Sequence, residues 1–148
     1  MLQISVKENV TLITFQNIPS ELAFIAYVFE EIAAQGINVD MIAESAHSGG
    51  VTDISFTVDD DSLGDILKIQ QKMREIKPQM GIIVSGGNTK ISVFDESMSG
   101  DCGVAAKIFR ISAELGADIR MITTSEVDIS LLVTQPDAAR LIEAIEKS

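Results

Sequence analysis

Two stretches of this chain share one pattern at a fixed spacing, and that repeat limits the folds open to the sequence. A shift of 80 residues superimposes identical pairs in one short window. The pairs are Ala26 and Ala106, Phe29 and Phe109, Ala33 and Ala113, Gly36 and Gly116, Met41 and Met121, Ile42 and Ile122, and Ser45 and Ser125. Beyond Ser45 the spacing falls to 75, because residues 52–58 match residues 127–133. Identities at one offset indicate an internal duplication.

Each copy predicts the same order of elements. Alternating β-branched residues predict a first strand, a 3.6-residue apolar period then predicts a helix, and two strands and a second helix follow. In the first copy these are residues 10–15, 20–36, 37–45, 52–58 and 62–76, and in the second 90–94, 102–116, 118–126, 127–133 and 136–148. Gly36 and Gly116 supply the helix stops. Ser62 with Asp65, and Thr134 with Asp137, predict capping boxes.

The first copy closes with a strand at 81–85, whereas the second copy has no such strand. Residues 2–6 form a spare strand in which Leu2, Ile4 and Val6 alternate, and we expect them to cross over, complete the second copy and be buried there. The Gly-rich residues 85–88 predict a turn between the copies. Each copy is then a βαββαβ unit, an α+β fold with two helices on one face of an antiparallel sheet. The predicted boundaries are 8–87 and 88–148, with 1–7 completing the second unit.

Composition narrows the class of protein. An apolar fraction of 46% over 148 residues suits one or two compact units. The formal net charge of −11 disfavours binding to a nucleic-acid backbone. The sequence shows no apolar run of membrane-spanning length and no secretion signal, and its one cysteine is Cys102. We therefore expect a soluble cytoplasmic protein with no membrane or nucleic-acid partner.

Several stretches together resemble a known family. The segments "LQISVKENVTLITF", "INVDMI", "KISVF", "GVAAKIF" and "RMITTSE" are similar to the C-terminal regulatory region of aspartokinases, which is a tandem of ACT domains. The resemblance covers essentially the whole chain and is most specific in the second copy. It implies two ferredoxin-like ACT units. The chain as a whole resembles a separately made regulatory subunit of that family.

The resemblance also implies a function. Such a module is a non-catalytic sensor that binds a free amino acid, lysine or threonine, and forms a homodimer through its ACT domains. An aspartokinase-type catalytic subunit is a further implied partner, while the kinase domain itself is missing from this sequence. No cofactor, metal site or catalytic residue is expected. The alternative is a dimerisation or docking module with degenerate ligand pockets.

Ligand-binding residues follow from the resemblance position by position. In the first copy they are Ile18, Glu21, Ile25, Asn38, Val39, Asp40 and Ser45. The family commonly carries Asp-x-Pro-Gly between first strand and first helix, where this chain has residues 20–23, Ser-Glu-Leu-Ala. A competing interpretation makes Ile18, Ile25 and Val39 core residues and Asp40 a solvated one.

The second copy offers an equivalent set: Met98, Asp101, Asp118, Ile119, Arg120, Ser125 and Glu126. Asp118 and Arg120 stand where the first copy has Asn38 and Asp40, so the charge pattern differs and this pocket is less favoured. Packing or an interface is the alternative for these residues.

Other chemically suggestive residues have simpler explanations. His47 lies in a Gly/Ser-rich loop and is expected to be a surface histidine. Cys102 has no partner that would activate it, and the acidic residues 59–61 precede a helix, where carboxylates are favourable. Met98 and Met121 are expected to fill the core.

Overall fold

The computed structural model describes residues 2–46 and 49–148, so His47 lies outside the described residues. The chain divides into two compact units. The first unit is Val10–Gly86, and the second combines Met1–Asn9 with Gly87–Ser148.

The described residues form six strands and four helices. They run in the order β1 Gln3–Pro19, α1 Leu22–Ala34, β2 Ile42–Glu44, β3 Val51–Asp59, α2 Leu63–Ile76, β4 Gly81–Phe94, α3 Val104–Leu115, β5 Ile119–Thr124, β6 Asp128–Thr134 and α4 Gln135–Glu146. Short 3₁₀ turns at Asp60–Ser62 and Glu96–Gly100 precede α2 and α3.

The strand order within each unit confirms the predicted α+β fold. In the first unit the order is β2-β3-β1-β4, and β3 pairs antiparallel with both β1 and β2. In the second unit the order is β1-β4-β6-β5, and β6 pairs antiparallel with both β4 and β5. The initial segment of β1 therefore belongs to the second unit, and the long strands β1 and β4 each contribute residues to both units.

Each unit has its own apolar core beneath its helices. In the first unit Phe56 is fully buried and meets Phe15 and Phe29 edge to face, with ring centroids 5.2 and 5.5 Å apart. The second core lies between β4, β6 and helices α3 and α4. Its fully buried members include Ile91, Val93, Leu131, Val133 and Leu141.

The crossing segment is less buried than its alternation predicts. Ile4 packs against the second core, but Leu2 is 38% exposed and Val6 is 48% exposed. The expectation that all three side chains are buried is therefore wrong. The pairing of β1 with β3 begins only at Val10, so the earlier part of β1 lies beside β4 alone among the described strands, and solvent reaches part of it.

Three local predictions were also wrong. Residues 85–88 are part of β4 rather than a turn, with Gly87 at a φ of 68° inside the strand. Of residues 37–45 only Ile42–Glu44 form a strand, although Asp40 still donates its amide to the carbonyl of Thr57. Neither predicted capping box forms: Ser62 makes no side-chain cap, and the Thr134 hydroxyl bonds to the Asp137 carboxylate instead of the backbone.

The helix stops agree with the prediction. Gly36 and Gly116 follow α1 and α3 with φ angles of 73° and 63°, a conformation that costs glycine little. Within the described residues, no helix has the length and apolar character needed to cross a membrane.

Candidate functional site

The turn that joins β1 to α1 in the first unit has an irregular backbone. The pairing of β1 with β3 shifts register between Phe15 and Ile18, and Asn17 in that interval has a φ of 58°. A bulge of this kind redirects side chains at the end of a strand. The amide of Ser20 then donates to the carbonyl of Gly50, 3.0 Å away, which ties the turn to the start of β3.

A cavity of about 440 Å³ opens at this turn. Its lining comes from three short segments, namely the end of β1, the start of β3 and the residues after α2. These residues are Asn17, Pro19, Glu21, Gly50, Val51, Lys77, Pro78 and Gln79. The volume falls in the range of about 300–1,000 Å³ that is typical of small-molecule sites.

The cavity brings opposite charges to one place. Glu21 supplies a carboxylate and Lys77 an ammonium group, and in the described part of the chain neither forms an ion pair. Both side chains are exposed. Asn17 and Gln79 add amides, which donate and accept hydrogen bonds. The carboxylate and the ammonium group of this lining complement the two opposite charges of a zwitterion.

Of the ligand-binding residues expected in the first copy, Glu21 alone lines this cavity. Ile18 is fully buried in the first core, and Ile25 and Val39 pack against that core. Their positions match the competing interpretation of these three as core residues.

The polar members of that set lie elsewhere in the unit. Asn38 and Asp40 are exposed between α1 and β2. The Ser45 hydroxyl accepts a hydrogen bond from the Asp53 amide at 3.1 Å, and the Ser45 carbonyl accepts one from the Thr52 hydroxyl at 2.9 Å. The backbone around Ser45 is therefore attached to β3.

The second-copy residues also separate into groups. Met98 and Ile119 pack against the second core. Asp118 and Arg120 form an ion pair of 2.9 Å, with side chains about half exposed. Asp101 lies before α3, where its carboxylate accepts from the Gly103 amide at 2.9 Å.

Ser125 and Glu126 occupy the connection between β5 and β6. Both are exposed, and the Ser125 amide donates to the Asp128 carbonyl at 2.9 Å. The free thiol of Cys102 is exposed as well. Among the described residues, no cluster of three or more His, Cys, Asp and Glu could hold a metal ion.

Sequence reasoning missed Asn17, Lys77 and Gln79 as cavity residues. Lys77 and Gln79 follow the second helix, and no repeat identity marks them. Asn17 could have been noticed, because asparagine is one of the few residues that tolerate a left-handed backbone next to a strand end.

Comparisons with known proteins identify the class to which these two units belong. The family model described as the ACT domain matches residues 91–148. Along the whole chain, an aspartokinase of Bacillus sp. (strain MGA3) is 28% identical over 145 residues, which is 98% of this chain and 35% of that relative. The chain thus spans about a third of the length of the curated relatives it matches.

Solved structures also match over almost their full length, and two examples follow. The regulatory subunit of aspartate kinase from Thermus thermophilus, in its ligand-free form, is 27% identical with a TM-score of 0.85, covering 97% of this chain and 95% of that one. A chain from the crystal structure of aspartokinase alpha and beta subunits is 30% identical with a TM-score of 0.82 and the same coverage.

The fold is accordingly that of an ACT-domain regulatory protein. The chain belongs to the family of aspartokinase regulatory regions, as the similarity to full-length chains of this kind shows.

Proposed function

We propose that this chain is a non-catalytic regulatory protein that binds a free amino acid, lysine or threonine, and responds through a homodimer or a catalytic partner subunit. The observation that carries the proposal is the charged cavity at the first strand-to-helix turn, in a chain whose family is regulatory. We further propose that its ACT domains are residues 8–87 and 88–148, the second completed by 1–7. The division of the chain near Asn9 and Gly87 supports these bounds.

In the proposed complex Glu21 binds the ammonium group of the amino acid and Lys77 binds its carboxylate. Asn17 and Gln79 then contact the side chain of the ligand. Hydrogen bonds to charged groups contribute about 1.5–3 kcal/mol each, enough to orient a small zwitterion. The exposed residues Asn38 and Asp40 are a second proposed contact region, taken from the family resemblance.

Calorimetric titration with each of the twenty amino acids tests this function. We expect heat from lysine or threonine, and affinity about tenfold weaker in Glu21→Gln and in Lys77→Met. Asn38→Ala tests the second contact region. A loss of amino-acid affinity confined to this variant would place the site between α1 and β2 instead of at the cavity. No heat from any amino acid at millimolar concentration would refute amino-acid sensing.

The homodimer is proposed to use the outer faces of α1 and α3. These faces carry small exposed residues at equivalent positions, Ala26 and Ala33 on α1 and Ala106 and Ala113 on α3. Between them lie charges of opposite sign, Glu30 on α1 and Arg110 on α3. Packing α1 of one copy against α3 of another pairs these charges, whereas packing α1 against α1 would oppose two glutamates.

Sedimentation velocity of charge variants tests this arrangement. We expect Glu30→Arg and Arg110→Glu each to weaken the dimer, because each variant juxtaposes like charges. The double exchange should restore the dimer. Equal weakening in the double variant would exclude the α1–α3 contact.

The second candidate function is a docking module without a ligand. Residues 20–23, Ser-Glu-Leu-Ala in place of Asp-x-Pro-Gly, favour it, and Leu22 there is 78% exposed. Capture of an aspartokinase-type catalytic chain, measured with and without amino acid, separates the two candidates. Capture that is insensitive to every amino acid favours docking, and capture that changes with ligand favours sensing.

A further inference from the structure

The bulge in β1 sets two residues of this strand against one residue of β3. Because the register shifts between Phe15 and Ile18, both Gln16 and Asn17 lie opposite Asp53. This two-to-one arrangement is that of a β-bulge. Asn17 has a φ of 58° and is one of the residues that line the cavity of the first unit. The bulge therefore determines where one residue of the cavity wall lies.

The side chain of Asp53 holds this bulge by a hydrogen bond. Its Oδ1 accepts the backbone amide of Asn17 at 3.0 Å. The extra residue of a bulge has no partner in the strand ladder, so this carboxylate takes the place of the missing backbone acceptor. A left-handed backbone is uncommon for a residue other than glycine, and hydrogen bonds to a charged acceptor are stronger than those between neutral groups. The bond to Asp53 therefore stabilises the conformation of Asn17.

The backbone of Asp53 is attached to the chain on the other side of β3. Its amide donates to the Ser45 hydroxyl at 3.1 Å, and its carbonyl accepts the Ser45 amide at 2.9 Å. Thr52, the preceding residue, is only 3% exposed. Asp53 therefore has a fixed backbone from which its carboxylate reaches Asn17.

The duplication provides a comparison within the same chain. Asp128 of the second unit is equivalent to Asp53, and its carbonyl accepts the Ser125 amide at 2.9 Å, as the Asp53 carbonyl accepts that of Ser45. The Asp128 carboxylate, however, accepts the Ser130 hydroxyl at 3.0 Å. The strands β4 and β6 pair in one continuous register. Of the two equivalent carboxylates, the one that holds a bulge is therefore the one next to a residue of the cavity wall.

We propose that Asp53 is a positioning residue for the amino-acid site of the first unit. By accepting the Asn17 amide it fixes the bulge, and the fixed bulge keeps the Asn17 side chain at the cavity. Asp53 does not itself line the cavity, so it acts on the ligand through Asn17. A wall that is ordered before the ligand arrives lowers the entropic cost of binding. The inference rests on the proposed function and adds to it a residue outside the cavity.

Calorimetric titration with lysine and with threonine tests this role. We expect Asp53→Ala to weaken the amino acid that the wild type binds about fivefold, because the ligand loses roughly one hydrogen bond from Asn17. Asp53→Asn keeps an oxygen for the Asn17 amide and should bind like the wild type. Asp128→Ala is the matched control, because it removes the equivalent carboxylate where no bulge is present, and it should leave the affinity unchanged.

Asn17→Gly tests whether Asp53 acts through Asn17. Glycine adopts a φ of 58° at little cost, so this variant removes the side chain and keeps the course of the backbone. It should weaken the same amino acid about fivefold, and Asp53→Ala should add no further loss in this background. Additive losses would show that Asp53 acts by another route and would overturn the proposal.

Amide hydrogen exchange measured by NMR gives a readout that needs no ligand. The Asn17 amide should exchange faster in Asp53→Ala than in the wild type, while the Ser45 amide keeps its protection. A general loss of stability would instead raise both exchange rates. Circular dichroism reports whether each variant is folded, and Asp53→Val, with a side chain that favours strands, replaces Asp53→Ala if the latter does not fold.

The failure of this inference differs from the failure of the proposed function. Equal amino-acid affinity in the wild type and Asp53→Ala, or equal exchange of the Asn17 amide, would overturn the positioning role and leave amino-acid sensing intact. Wild-type protein that binds neither lysine nor threonine would refute the proposed function, and the inference with it.

Discussion

The carboxylate of Asp137 joins three elements of the second unit. Its Oδ2 accepts the Asp118 amide at 2.8 Å and the Thr134 hydroxyl at 3.0 Å, while Oδ1 accepts two bonds from Arg140. Arg140 in turn donates to the Leu115 carbonyl at the end of α3, 2.7 Å away. The side chains of Asp137 and Arg140 together therefore connect the starts of α4 and β5 with the last turn of α3.

These bonds predict a pH dependence of stability. The Asp118 amide first, and then Arg140 and Thr134, lower the pKa of Asp137 from 3.8 to about 2. Because the folded pKa lies below the unfolded one, the stabilisation is complete above about pH 4 and is lost as the pH falls towards 2. Urea unfolding should show Asp137→Asn less stable than wild type at pH 7, with the difference shrinking across that window.

Asp65→Asn is the control for this prediction, since Asp65 occupies the first turn of α2. It should have a smaller effect than Asp137→Asn at neutral pH. A difference between wild type and Asp137→Asn that stays constant from pH 7 to pH 2 would contradict the assigned role.

Equivalent phenylalanines of the two copies have different environments. Phe29 packs on fully buried Phe56, whereas Phe109 is 40% exposed. Phe29→Ala should lower the free energy of unfolding by about 3 kcal/mol, because it removes a ring that packs on Phe56 and leaves a cavity. Phe109→Ala should cost the monomer much less, about 1 kcal/mol. Urea denaturation of both variants measures the difference, and equal losses would contradict the two environments.

Residue types predicted the core better than they predicted the candidate site. The competing interpretation placed Ile18, Ile25 and Val39 in the core, and all three lie in or against it, because burial follows the hydrophobicity of the side chain. Lys77 and Gln79 could not be assigned to a cavity in this way. Their position at the cavity depends on how the residues after α2 pack near the bulged end of β1. This is tertiary packing between segments distant in sequence, which local patterns do not predict.

At the scale of elements, β1 and β4 show why one prediction succeeded and another failed. The crossing of residues 2–6 was predicted because a strand was missing from one copy and extra in the other. The prediction of a turn at residues 85–88 was wrong, because glycine and asparagine occur both in turns and at irregular positions within strands. Asn9 in β1 and Gly87 in β4 each have positive φ without ending their strand.

Deletion of residues 1–7 tests the contribution of the crossing segment. The shortened chain, beginning at Glu8, loses the part of β1 that lies beside β4 in the second unit and the packing of Ile4. We expect a loss of roughly 2 kcal/mol or more, from one partly buried aliphatic side chain and several backbone hydrogen bonds. The newly uncovered strand edge should also promote aggregation.

Two substitutions separate the side-chain and backbone contributions to this loss. Val6→Ser changes a half-exposed side chain and should stay within about 0.5 kcal/mol of wild type. The loss in free energy of unfolding for Ile4→Ala should lie between the losses for Val6→Ser and for the deletion. Wild-type melting and solubility of the shortened chain would show that the segment does not complete the second unit.

At the scale of the whole molecule, the duplication has conserved the fold while the charges of the two copies have diverged. The first unit holds 11 acidic and 4 basic residues, and all four basic residues lie between Lys68 and Lys77. The second unit holds 11 acidic and 7 basic residues, among them Arg110 and Lys107. Equivalent positions of the two units therefore offer different charges.

The proposed sensor couples ligand binding to assembly, and thermodynamic linkage requires this coupling to act in both directions. A ligand shifts the dimer equilibrium only through its different affinities for monomer and dimer, typically about 1–3 kcal/mol or 5–150-fold. Sedimentation equilibrium with and without the amino acid should show a change of that size in the dimer dissociation constant. Linkage then requires the amino-acid affinity to change with protein concentration. Calorimetry at concentrations below and above the dimer dissociation constant should give affinities that differ by the same coupling factor.

Glu30→Arg provides the variant in which this coupling is removed. As a monomer it should bind the amino acid with one affinity at every protein concentration, because no second state is populated. Wild-type affinity that is equally independent of concentration, across a range where the dimer dissociates, would mean that ligand and dimer are uncoupled. Regulation would then have to pass through the catalytic partner instead, because an amino acid with equal affinity for monomer and dimer cannot shift their populations.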